Sequence, residues 1–297
     1  MANSKFAYVR KFELPDPLLL GTFMVFRLDG HAFHRFSDEH GFAKPNDERA
    51  LQLMDRAARD LMAEYEDIVF GFGESDEFSF LLKKSTALYH RRNAKIVSML
   101  TSFFTSSYVF HWRTFFPDTP LRYPPSFDGR VVLYPTEREV RDYFSWRQAD
   151  THINNLYNTV FWALVQQGGE TTTQAHATLR GTVSAQKHEL LFSRFGINYN
   201  QISARYRKGS IIVREISHHQ PFDPTTSTTP QKDANDDVLS LTASEESTEE
   251  SVLPPNKVAT SGKKGKGKTK VQTTIEVHHC DIIRDEFWKE RPNLLVD

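Results

Sequence analysis

The chain has 297 residues, 39% of them hydrophobic, with 23 Phe, 10 Tyr and 4 Trp, enough for one large domain or two small ones with a sizeable core. A formal charge of −1 leaves any nucleic-acid contact to local basic patches, and a single cysteine, Cys280, excludes an intrachain disulfide and argues against a cysteine zinc site. No apolar run approaches the roughly 20 residues of a membrane span, and the stretch from Met1 to Glu13 has neither a signal core nor transit-peptide character, so the expectation is a cytoplasmic protein, with the nucleus as a second location, and no membrane partner.

In chain order, Thr22 to Leu28 is β-branched and apolar and predicts a buried strand ending at Asp29. Pro45-Asn46-Asp47 opens a helix with Asp47 as its cap, and Leu51, Met54, Ala58, Leu61, Met62 and Tyr65 follow at helical spacing. Ile68 to Phe72 is a second strand, Glu74 to Glu77 a hairpin tip, and Phe78 to Leu82 a third strand. Tyr89 to Trp112 reads as a long helix and Val131 to Tyr134 as a fourth strand.

Helices then follow over Arg138 to Gln148, Asn154 to Gln167, Thr172 to Arg180, and Ser184 to Phe195, the last capped by Ser184 and stopped by Gly196. Ser210 to Arg214 and Thr274 to His279 form a terminal strand pair. Residues 223–270, Ser/Thr-rich with an acidic half and a Lys-rich half, read as a disordered low-complexity insertion. A solvated loop is the plain reading of that insertion; an RNA-contacting or nuclear-targeting arm is the alternative.

The expected class is therefore α+β. A ferredoxin-like β-α-β-β-α-β palm covers 1–136, a helical part of the same domain 137–222, and a C-terminal strand and tail 271–297, which completes a β-hairpin. Right-handed crossovers bring the end of the first strand to the same sheet edge as the hairpin between the second and third. That topology makes neighbours of Asp29 and Asp76, in Arg27-Leu28-Asp29-Gly30 and Gly73-Glu74-Ser75-Asp76-Glu77.

Two carboxylates at one sheet edge suit a pair of Mg²⁺ ions held against a triphosphate, with the Gly30 carbonyl as a further ligand; otherwise they cap turns, as aspartate often does. Glu77 is a candidate ligand or base, or a support. Gly30, His31, Ala32, Phe33 and His34 can present successive N–H groups to phosphates, and Ser75, Lys44 and Lys95 lie where they would join them. No phosphate-loop motif is present. His152, Asn155 and Tyr157 share a helix face that is either a buried hydrogen-bond network or an RNA-reading surface. Lys187, Arg194, Arg205, Arg207 and Lys208 add positive charge suited to a phosphate backbone.

Taken as a set, Arg27 to His34, Gly71 to Glu77, His152 to Asn158 and the N-terminal Met1 to Arg10 closely resemble the tRNA(His) guanylyltransferase family of 3′→5′ polymerases. The resemblance covers 1–215 and 272–297, and the insertion departs from it. It implies Mg²⁺ on Asp29, Gly30 and Asp76, and nucleotide contacts from His34, Lys44 and Ser75, a set completed by Arg27 and Asp47. Lys95, His152, Lys187 and Asn198 would serve activation or tRNA engagement. The implied substrates are ATP, GTP and tRNA(His), and the implied assembly is a homotetramer, a dimer of dimers. Two other classes compete: a nucleotide cyclase, because Gly73 to Phe78 is similar to the diguanylate-cyclase hairpin, and a non-catalytic tRNA-binding protein.

Overall fold

The computed structural model describes residues 4–216 and 273–296; the expected insertion at 223–270 lies outside them. Within this unit, the sheet is built from β1 (Phe23–Gly30), β2 (Ile68–Glu74), β3 (Glu77–Leu82), β4 (Phe127–Tyr134), β5 (Ser210–Ile216) and β6 (Thr273–His278). Their spatial order is β4-β1-β3-β2-β5-β6. The pairings of β1 with β3 and β4, and of β2 with β3 and β5, are antiparallel.

Alternation along β1 divides the core. Met24, Phe26 and Leu28 face α2 (Glu48–Glu64) and α3 (Asn93–Phe115), together with Phe78, Phe80 and Leu82 of β3. Phe23 and Val25 point the other way, into a cluster with Val140, Tyr143 and Phe144 of α4 (Glu137–Gln166) and with Phe287 and Trp288 of a short terminal helix. A third cluster joins the far half of α4 to α5 (Thr172–Leu179) and α6 (Ser184–Phe195) through Leu156, Val160, Leu179, Leu191 and Tyr199. Each such side chain contributes about 1.5–3 kcal/mol by leaving water.

The α+β class and all six strands agree with the sequence pattern, and so does Asp47 as the cap of α2, where its carboxylate accepts the Arg49 N–H. The helices differ chiefly in the following places. The stretch read as two helices is the single 30-residue α4. Its buried face continues through Arg147, Gln148, Thr151 and Asn155, and these polar residues hid the apolar period. Helix α3 starts at Asn93, after a turn in which Tyr89, His90 and Arg91 all have positive φ. Arg91 is buried there and donates to the Leu19 and Thr22 carbonyls, so tertiary bonding overrides helical propensity. Val183, rather than Ser184, precedes the first turn of α6, with its N–H bound by the Gln186 amide oxygen. A short α1 (Phe33–Glu39) follows β1, with only Phe33 and Phe36 buried, too few positions to show a period.

Candidate active site

The end of β1 and the tip of the β2–β3 hairpin meet directly. Gly30 donates its N–H to the Asp76 carbonyl at 3.0 Å. A Cβ on Gly30 would stand 2.7 Å from the Asp76 carboxylate and 2.4 Å from the Phe33 ring, so glycine is required for the two segments to close. Ser75 turns the hairpin with φ 50° and hydrogen-bonds the Asp76 carboxylate through its hydroxyl. Burial pushes the Asp76 carboxyl above its usual value, and the neighbouring charge of Asp29 pushes the same way. Two mutually repelling carboxylates beside a backbone carbonyl form a hard-oxygen set that favours a cation. Among the described residues no group of three or more His, Cys, Asp or Glu is arranged to hold a metal; phosphate oxygens would have to complete the shell.

An arginine relay backs the pair. Arg27 bridges Asp29 at 2.8 Å and Glu77 at 2.6 Å, and Asp29 and Glu77 are cross-strand partners. Arg147 of α4, missed in the sequence, is buried and reaches Glu77 at 3.1 Å and Glu74 at 3.9 Å. Burial pushes Glu74 up to about 7. With two guanidiniums on it, Glu77 acts as the support among its expected roles. A charged residue on an otherwise buried helix face was the available signal for Arg147.

Beside Asp76 opens a cavity of about 350 Å³, lined by Phe33, His34, Lys44, Asp47 and Ser75 from the expected set, and by Tyr108, Tyr157, Asn158, Phe161, Trp162 and His176, which the sequence did not mark as lining one. Lys44 also holds Ser37 at 3.0 Å and Asp38 at 2.9 Å. Burial pulls the Asp47 carboxyl up, but Arg49 and the Ala43 N–H outweigh it and hold the group below its ordinary value. With those donors on it, Asp47 clamps the cavity wall. The expected run of free N–H groups is shorter than five: Gly30 is engaged with Asp76, and His31 with the Ser126 carbonyl at 2.9 Å. Those of Ala32, Phe33 and His34 open α1, whose first turn has no side-chain cap.

Lys95 does not share this edge. It sits in the first turn of α3 with its amine over the Tyr89 ring, whereas Tyr108 of the same helix lines the cavity. Thirteen residues of helix rise separate them, roughly 20 Å. Helix α3 begins at the opposite sheet edge, because β3 carries the chain away from the hairpin tip.

The expected tRNA-contacting residues are divided. Asn155 is buried between Asn46 at 2.9 Å and the Tyr199 hydroxyl at 3.0 Å, which makes it a core bridge. Arg205 is tied to Asp55 at 2.5 Å with both side chains largely buried, Lys208 pairs with Asp281 at 2.6 Å, and Arg207 donates to the Ile202 carbonyl at 2.7 Å. Burial lowers the His152 pKa, helped by nearby His188, Lys208 and Arg207, so its imidazole is neutral at pH 7. Asn198 is exposed and caps a short turn through the Asn200 N–H. Lys187 donates to the Thr182 carbonyl at 2.7 Å and stands 5.9 Å from the Tyr157 ring centre, beside the cavity.

The family model described as tRNAHis guanylyltransferase matches residues 6–135, and that described as Thg1 C terminal domain matches 138–284. A tRNA(His) guanylyltransferase of Neurospora crassa is 48% identical over 297 residues, spanning 99% of this chain and 96% of that one. The crystal structure of the Saccharomyces cerevisiae tRNA(His) guanylyltransferase superposes with a TM-score of 0.68 at 50% identity, covering 70% of this chain and 93% of that one. A bacterial protein of the same likeness, in complex with ATP, superposes at 0.61 with 25% identity over 71% and 88% of the two chains. The chain belongs to the tRNAHis guanylyltransferase family.

Proposed function

We propose that this chain adds a guanosine to the 5′ end, position −1, of tRNA(His). The observation that carries the reading is the junction of Gly30 with Asp76, which sets paired carboxylates against an aromatic, cation-rimmed cavity. A bacterial protein similar to this chain is solved in complex with ATP, a nucleotide of the class this reading requires. In this reaction ATP adenylylates the 5′-phosphate of the tRNA with loss of pyrophosphate, and the 3′-hydroxyl of GTP then attacks that phosphate and releases AMP. Pyrophosphate is finally removed from the added guanosine.

Asp29, Asp76 and the Gly30 carbonyl would hold two Mg²⁺ ions, whose chemistry is to neutralise phosphate charge and ease deprotonation of the attacking hydroxyl. The residues themselves bind and orient. Lys44, His34, Ser75 and the first-turn N–H groups of α1 draw in the phosphates. The cavity walls of Phe161 and Trp162, whose rings meet edge to face, exclude water from the base. Arg27 and Arg147 hold Glu77, and with it the hairpin, in place. No side chain is needed as a dedicated base.

The same reading takes β1–β4 with α2 and α3 as a polymerase palm, β5 and β6 as a C-terminal hairpin, and residues 137–222 as the tRNA-binding part of one domain. Lys187, His152 and Asn198 are its remaining tRNA contacts. Lys95, remote from the edge within one chain, would act across the interface of a homotetramer. No described helix is long and apolar enough to cross a membrane, and the site of action is proposed to be the cytoplasm. The test is incubation with Mg²⁺, ATP, base-labelled GTP and 5′-monophosphorylated tRNA(His). Label at the tRNA 5′ end supports the reading; a cyclic product from GTP without tRNA would overturn it.

A further inference from the structure

Among the buried tyrosines, Tyr108 differs from its peers. The hydroxyl of Tyr143 meets Ser79 at 2.7 Å and that of Tyr199 meets Asn155 at 3.0 Å, as buried phenols ordinarily do. Tyr108 is 1% exposed, its ring edge-on to Phe33 at 6.1 Å and Phe127 at 5.6 Å between centroids, yet its hydroxyl is not among the fully enclosed unpaired atoms of the described residues, and the residue lines the cavity. Among the described residues no protein group claims that hydroxyl, which leaves it open to whatever fills the cavity. That cavity also reaches Asp76 and Asp47.

We propose that the Tyr108 hydroxyl is a binding group for the nucleoside part of the triphosphate, donating its hydrogen bond to a neutral acceptor on the base or ribose. This rests on the cavity being the nucleotide site. A phosphate is the wrong ligand for this hydroxyl. The phosphate-suited groups His34, Lys44 and Ser75 come from other elements of the wall and mark the phosphate end there. Aromatic surroundings suit a planar ring. Burial together with the Asp76 and Asp47 carboxylates also holds the phenol above its ordinary value, so it remains a donor throughout neutral pH.

The test compares wild type with Tyr108→Phe in calorimetric titrations with GTP and with inorganic tripolyphosphate, both with Mg²⁺ and without tRNA, alongside melting curves of the free proteins. GTP affinity is expected to fall about 3- to 10-fold, tripolyphosphate affinity to stay constant, and the melting temperature of the free variant to stay level. A merely structural hydroxyl gives the opposite pattern, a lower melting temperature with unchanged GTP binding, and would overturn the proposal. Equal losses for GTP and tripolyphosphate would overturn it too. A chain that binds GTP through Tyr108 but adds nothing to tRNA would overturn the proposed reaction while leaving this assignment standing.

Discussion

Two regions nominated for function behave in opposite ways. At the sheet edge, Asp29 and Asp76 press negative charge together, Ser75 takes a left-handed backbone, and Tyr108 lines an open cavity. On the helical side, Arg205, Lys208 and Asn155 have found internal partners in Asp55, Asp281, Asn46 and Tyr199. The first region concentrates negative charge that Arg27 and Ser75 only partly offset, as the proposed cation site requires; much of the second is already satisfied by folding. A cation already matched by a carboxylate inside the fold is a poor marker of a phosphate contact, however basic the segment it sits in.

Substitutions sharpen that contrast. The largest effect is expected from Asp29→Ala or Asp76→Ala, each abolishing guanosine addition, measured as label at the tRNA 5′ end, while tRNA binding is retained. Full activity in either variant would sink the cation assignment. Arg205→Ala should lower stability by about 3 kcal/mol, because it leaves Asp55 buried without its cation, and should leave the salt dependence of tRNA binding unaltered; urea denaturation and salt titration separate the two. Asn155→Ala should lower stability by about 1–2 kcal/mol, through the unpaired Tyr199 and Asn46 groups, again without weakening tRNA binding. Smallest of all, Lys187→Ala should reduce the slope of log affinity against log salt by about 1. An unchanged slope would strike Lys187 from the phosphate contacts.

How much was legible follows from what each element depends on. The strand order and the meeting of Asp29 with Asp76 depend on apolar alternation and crossover handedness, both written locally in the chain. The cap at Asp47 and the hairpin tip are likewise short-range. Arg147 depends on a partner far along the chain, Glu77, and only its charge on a buried helix face announces it; spacing marks the face that carries Asn155, but only the position of Tyr199 decides between a buried network and an RNA-reading surface. Lys95 shows a further limit: it was placed by the kind of helix it sits on, and the direction of that helix relative to the active edge decided the outcome. The unbroken α4 was hidden for a related reason, since its buried face switches from apolar to hydrogen-bonded residues midway.

The most direct measurement is Mn²⁺ binding followed by electron paramagnetic resonance in the presence of GTP, with Mn²⁺ standing in for Mg²⁺, on wild type and on Asp76→Asn. Wild type is expected to take up two ions with GTP, and the variant to lose at least one of them while its melting temperature without ligand stays level or rises, because a repelling buried charge is gone. Unchanged ion uptake by Asp76→Asn would contradict the assignment of this edge as the catalytic metal centre.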